Sequence, residues 1–327
     1  MKQMNLMACG GAALNIVGGF LNNRRTDISD SACEINACFI DTSKSNLRRA
    51  GIESNDERAF IIDGVDGSGK KRDTNYKVVS EYAKEILHQY KPADINVIVH
   101  SASGGSGSVI GPVLAHELLS KNWPTLLIVV GGSDSKIELE NTIKTLKGYE
   151  VISRRINKPV NVVYYENSKL TPREKVDSLA QSSIALLSVI FSGNNDDLDS
   201  ADLTNFLNYC NVTNHEPQLT LVDFFYSEFK IPKGQTVISA VTLTDKEHPS
   251  TLSIIVDHQS VGFLSPETSK LVSTQLPINM VNVLGYFPDV ISRLEKQVND
   301  IVEMRQSVVI KKIDVNDAEA NDHGLIL

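Results

Sequence analysis

Ser103-Gly104-Gly105-Ser106-Gly107-Ser108 follows the apolar run INVIVH at residues 95–100 and leads into a helix-like segment at 108–119. Small residues in succession let a backbone bend into an anion-binding concavity, with serine hydroxyls and helix-terminal amides pointing into it. A plain linker has a similar composition, so the surroundings decide. Working outward, Val- and Ile-rich runs at residues 3–9, 35–40, 59–62, 95–100, 125–130 and 160–165 alternate with helical stripes such as Val78, Val79, Tyr82, Ile86 and Leu87. This alternation predicts an α/β fold with a Rossmann-like, mostly parallel sheet, whose ligands bind at the carboxyl ends of the strands. A long helix over 171–191, a break at Gly193-Asn194-Asn195 and a helix over 200–209 come next. Strands expected at 219–226, 236–243, 252–256 and 278–284, with a helix at 288–306, then predict a smaller α+β portion.

A chain of 327 residues has length for one large domain or two fused ones, and 41% hydrophobic with 22% charged residues is an ordinary globular composition. The net charge of −8 opposes direct nucleic-acid binding, and no Lys/Arg stripe offsets it. Cys9, Cys33, Cys38 and Cys210 lack the spacing of a disulfide framework or a zinc cage, which fits a reducing cytoplasm. The apolar stretch 6–21 superficially looks like a signal peptide, but Asn15 and four glycines interrupt it, and no run reaches the length of a membrane span.

Two further glycine clusters follow expected strands. Gly10-Gly11-Ala12-Ala13-Leu14-Asn15 opens the first helix, where backbone amides can hold a phosphate, although Gly10, Gly11 and Gly18 do not make a Rossmann fingerprint. Gly64-Val65-Asp66-Gly67-Ser68-Gly69-Lys70-Lys71 nearly spells a P-loop, but Lys71 stands where magnesium needs a hydroxyl; a solvated glycine loop is the alternative.

With the run at 103–108, the clusters resemble the tubulin and FtsZ superfamily, whose signature is Gly-Gly-Gly-Thr-Gly-Ser or Gly-Gly-Gly-Thr-Gly-Thr followed by Gly. Here Ser103 replaces the first glycine, Ser106 the threonine, and Val109 follows Ser108. The resemblance extends to Asp41-Thr42 as the acidic loop near the phosphates and to Asn167 as the guanine-reading Asn. Arg173 and Asp177, one helical turn apart, fall where that family stacks an aromatic on the base and reads it with Asn or Asp. Asp177 fits; Arg173 departs from the aromatic, although a guanidinium plane also stacks, and a solvated ion pair is the alternative. Either Glu138 or Glu140 is implied at the ribose.

In this superfamily an Asn-x-Asp-x-x-Asp segment of one subunit contacts the nucleotide of the next. Asp197-Leu198-Asp199-Ser200-Ala201-Asp202 is the matching stretch, with Asp197 in place of Asn. The resemblance implies Asp199 and Asp202, with Asp197, as the residues that orient an attacking water; helix capping explains the same residues without catalysis. It further implies GTP or GDP and Mg2+ as ligands and head-to-tail self-association. The divergent motifs and acidic tail look most like phage tubulins, which implies dynamic filaments in the host bacterial cytoplasm and an indirect link to phage DNA or capsids, with no membrane. The implied division is a GTP-binding domain at 1–170, a central helix at 171–192, a second α+β domain at 193–287, a helix at 288–310 and an acidic tail at 311–327. Asp314, Asp317, Glu319 and Asp322 of that tail are expected to contact the neighbouring subunit. The rival expectations are a nucleotide-gated scaffold with little hydrolysis and a P-loop or Rossmann enzyme acting on a small metabolite.

Overall fold

The computed structural model describes residues 2–23, 32–53, 55–64, 76–264 and 275–307. Seven parallel strands run side by side in the order β3 (Ala59–Ile61), β2 (Glu34–Asp41), β1 (Gln3–Cys9), β4 (Ile95–Ser101), β5 (Thr125–Gly132), β6 (Val160–Asn167) and β7 (Leu219–Phe225). The sheet then continues without a gap into β10 (Ile278–Leu284), β8 (Thr236–Asp245) and β9 (His258–Leu264), β10 being antiparallel to both its neighbours. The α+β portion is therefore an extension of the same sheet, joined through the parallel pairing of β6 with β7.

Side chains alternate between the faces of a strand, and both faces here are apolar. In β1, Met4, Leu6 and Ala8 enter one core while Met7 and Cys9 enter the other; in β5, Leu126, Ile128 and Val130 oppose Leu127 and Val129. The first core is closed by α1 (Gly11–Asn23), α2 (Lys44–Arg49), α6 (Arg173–Ile190) and α7 (Ser200–Leu207). The second is closed by α3 (Tyr76–Gln89), α4 (Gly107–Ser120), α5 (Lys136–Ile156) and α8 (Tyr286–Ser307). Burial on two sides explains why these strands read as continuous apolar runs.

Two elements differ from expectation. The strand expected at 252–256 is chain without a sheet partner: Leu252, Ile254 and Val256 turn inward against the second core, while the edge is taken by β9, whose His258, Gln259 and Gly262 hide its strand character. Helix α5 had no counterpart in the sequence reading, although Ser135 caps it by accepting from the Glu138 amide and Asn157, at φ 54°, ends it in the left-handed conformation. Its Thr142, Thr145 and Ser153 are buried and break the apolar stripe that periodicity looks for.

Candidate functional site

The carboxyl ends of β1, β2, β4, β5 and β6 open onto one cleft of about 470 Å³. Gly10, Gly11, Ala12 and Asn15 line it from the β1 side, Ser103, Gly104, Gly105, Ser106 and Gly107 from the β4 side, Glu138 from the start of α5, Asn167 from the end of β6, and Arg173 and Asp177 from α6. Residues drawn from well-separated stretches of the sequence thus share one cavity.

The two glycine loops are interlocked backbone to backbone. A Cβ on Gly10, whose φ is +83°, would lie 2.7 Å from the Gly107 amide nitrogen, and a Cβ on Gly107 would lie 2.7 Å from the Cys9 carbonyl oxygen. Helices α1 and α4 begin there with no acidic residue in their first turns, and Ser106 makes no side-chain cap on α4. Two helix amino termini, with their unpaired amides and partial positive charge, therefore face one space, an arrangement suited to an anion.

Asp41, Thr42 and Ser108 support this cradle from beneath instead of lining it. Asp41 is fully buried; it accepts from the Thr42 amide at 2.6 Å and from Asn46 Nδ2 at 2.9 Å, while the Thr42 and Ser106 hydroxyls are 2.7 Å apart. Burial pushes the Asp41 pKa up, and the hydrogen bonds from Asn46, Thr42 and Ser43 oppose that rise. The Ser108 hydroxyl donates to the Gly105 carbonyl at 3.1 Å, tightening the loop.

At the other end of the cleft Asn167 is paired in register with Gly132, and its Oδ1 is buried with no hydrogen-bond partner. A buried, unpaired acceptor is costly, and one on a cavity wall fits a ligand N–H. The Asp177 pKa is raised by burial and then by the Glu174 charge, with Arg173 opposing. Glu138 lines the cleft, whereas Glu140 pairs outside it with Lys136 at 3.5 Å, so geometry separates the two ribose candidates.

The cleft also recruits Cys9, Ser43, Asn46, Arg49, Ser101 and Val130, which sequence reasoning did not select. Ser43 was within reach, directly after Asp41-Thr42. Arg49 carried no signal, since only the fold of α2 brings it to the mouth. Gly67, Ser68 and Gly69 lie outside the described residues, as do Asp314, Asp317, Glu319 and Asp322.

Asp197, Asp199 and Asp202 lie at the opposite pole. Helix α6 leaves the cleft at Arg173 and runs back along the sheet for 18 residues, about 27 Å at 1.5 Å per residue. It ends where the Ser192 carbonyl accepts from the Lys2 amide, at the amino end of β1. Ser200, Leu203 and Thr204 of α7 line a second cleft there with Lys2, Asp94 and Pro124. Asp199 and Asp202 form a capping box: Asp199 accepts from the Ala201 and Asp202 amides, and Asp202 accepts from the Asp199 amide. Those backbone bonds hold the Asp199 carboxyl below its usual pKa. Asp197 has a left-handed backbone, φ 62°.

No protein-family model matches the chain. The fold, a mostly parallel sheet with a long central helix, is that of tubulin- and FtsZ-like structures: the structure superposes on a TubZ protofilament subunit from bacteriophage PhiKZ with a TM-score of 0.82 at 23% identity, over 96% of this chain and 95% of that one. It also superposes on the phage tubulin PhuZ in a GDP form with a TM-score of 0.83 at 19% identity, over 96% of each chain. In sequence the chain is similar to phage tubulin-like proteins, with 25% identity to that of Pseudomonas phage phiKZ over 97% of this chain and 96% of the relative. It has 27% identity to that of Pseudomonas phage PhiPA3 over 87% and 90%. In both fold and sequence, then, the chain is similar to phage tubulin-like proteins.

Proposed function

We propose that this chain binds GTP and GDP in the β1/β4 cleft, assembles head to tail into filaments, and hydrolyses GTP once assembled. The observation that carries the reading is the separation of two half-sites: a cradle for phosphates at one pole and carboxylates at the other, about 27 Å apart along α6. Within one molecule the carboxylates are out of reach of the cleft; stacking a second copy on the first along the strand direction brings them together. The homologous proteins include a filament subunit and a GDP complex, which supports the ligand and the mode of assembly.

In this reading the glycine loops hold the phosphates through backbone amides, Ser103 and Ser106 add hydroxyls, Asn167 and Asp177 read the base, and Glu138 holds the ribose. Guanine presents N–H donors to these acceptors where adenine presents a different edge. Arg173 lies over the base or near the phosphates as the cation of that wall. Mg2+ would be held mainly by the nucleotide phosphates and water, and would supply neutralisation of the phosphate charge. Asp199 and Asp202 of the next copy orient the attacking water, with Asp197 beside them. The tail carboxylates Asp314, Asp317, Glu319 and Asp322 bind a neighbouring subunit. The filament works in the host bacterial cytoplasm and connects indirectly to phage DNA or capsids. The parts at 1–170, 171–192, 193–287, 288–310 and 311–327 serve as nucleotide domain, strut, activating domain, closing helix and tail.

The deciding experiment is phosphate release against protein concentration, with competition binding of GTP and ATP. Turnover should rise faster than linearly, and GTP should displace a labelled nucleotide at lower concentration than ATP. Constant turnover per subunit at dilutions without polymer refutes the composite site; equal displacement by ATP refutes the base assignment.

One observation favours a second reading, a nucleotide-gated scaffold that hydrolyses slowly. Asp199 and Asp202 are engaged in the capping box, and Asp197 replaces the family's Asn. In that case filaments form with GTP and persist without phosphate release.

A further inference from the structure

Side chains from the sheet pin α7 at both ends. At its carboxyl end Asn161 of β6 donates to the Leu207 carbonyl and Asn282 of β10 to the Phe206 carbonyl, each at 2.7 Å and each from a buried position. Carbonyls of a last helical turn have no partner inside the helix, so these bonds anchor the turn. At the amino end Asp202 is held through both oxygens. Its Oδ2 accepts from the Asp199 amide at 3.0 Å, and its Oδ1 accepts from the Ser260 hydroxyl at 2.8 Å. Ser260 lies on the edge strand β9 and is 7% exposed.

The capping box needs only Oδ2 of Asp202, so the Ser260 bond is not required to start α7. Its effect is on orientation. A carboxylate tied at one oxygen can rotate about its terminal torsion, whereas one tied at both is fixed in plane and direction. Asp199, by contrast, is tied at one oxygen only, its Oδ1 accepting from the Ala201 and Asp202 amides. Catalytic groups held within about 0.5 Å of a productive position gain rate without any new contact to substrate.

We propose that Ser260 is a positioning residue for hydrolysis: its hydroxyl orients Asp202 toward the nucleotide held by the adjoining subunit. The inference rests on the composite-site reading above. Ser260 touches no nucleotide; it acts from the β9 edge of the sheet on a helix whose other end is held by β6 and β10.

The test is a double-mutant cycle on the full-length protein, with Ser260→Ala, Ser260→Thr, Asp202→Ala and the Ser260→Ala/Asp202→Ala pair, measuring GTP turnover per polymerised subunit and nucleotide affinity of the dilute monomer. Ser260→Ala is expected to lower turnover about tenfold, on the order of one charge-assisted hydrogen bond, with monomer affinity unchanged. Ser260→Thr, which keeps the hydroxyl, restores it. In the Asp202→Ala background the Ser260 change has no further effect, since it acts only through that carboxylate. Additive losses in the pair, or an inactive threonine variant, overturn the role of Ser260 while leaving the composite site standing. Unchanged turnover in Asp202→Ala overturns the composite-site reading itself, and the inference with it.

Discussion

The two poles of this molecule are built from different materials. The glycine-loop end of the cleft at the carboxyl ends of the strands is largely backbone: two glycine loops packed against each other and two helix amino termini. The opposite pole is made of side chains: a capping box, a serine hydroxyl and two buried asparagines that together aim a short helix. A backbone site leaves no room for added atoms, whereas a side-chain site can be edited one group at a time. The first should fail abruptly when altered and the second by degrees.

The largest effect is therefore expected at Gly107→Val. Its Cβ would meet the Cys9 carbonyl oxygen at 2.7 Å, so either the β1 loop or α4 must shift, an overpacking cost of about 1–3 kcal/mol. GTP binding should be lost in equilibrium dialysis and the melting temperature should fall. A variant that binds GTP normally would break the contrast at its stronger side.

The paired change Asp199→Ala and Asp202→Ala comes next. It should leave monomer nucleotide binding intact, slow turnover in polymer by about a hundredfold, the lower range for an acid–base or water-orienting group, and lengthen filament lifetime. Phosphate release with time-lapse microscopy reads both. Loss of monomer binding would mean that the two poles are not functionally separate.

Asn167→Leu should weaken GTP by about tenfold, the order of one buried hydrogen bond, while ATP changes little. Competition binding measures the ratio, and an unchanged preference removes Asn167 from base reading.

The smallest effect is a pH dependence. The base-reading role needs Asp177 as a carboxylate, and its pKa is raised by burial and by Glu174. Protonation as pH falls removes the acceptor, so GTP affinity should be full near neutral pH and should begin to fall, on acidification, while the pH is still above the ordinary Asp value of about 3.9. Asp177→Asn should flatten that limb; a limb identical in the variant assigns it to another group.

Much of this architecture was written locally. The parallel strands are short Val- and Ile-rich runs because both their faces are buried, and the glycine loops betray themselves because only very small residues allow two backbones to touch. For the same reason Gly10, Gly107 and their neighbours stand out in the sequence as candidate anion-binding loops, and the fold packs the two loops against each other. Helix α5 and strand β9 were not legible, since buried threonines on one and polar residues on the other blur the period that identifies them. Asp199, Ser200 and Asp202 could be read as a helix start from the chain alone, but the sequence leaves Ser260, 58 residues from Asp202, without any mark. Pairing across that distance depends on the register of β9 against β8, and register is a property of the folded sheet. Tertiary structure also decided that Glu138 and not Glu140 faces the cleft, because the helix phase of α5 is set by its packing on β5. The same holds for the distance between the poles: local sequence specifies glycine loops and an acidic turn, but only the direction in which α6 crosses the sheet puts them at opposite ends.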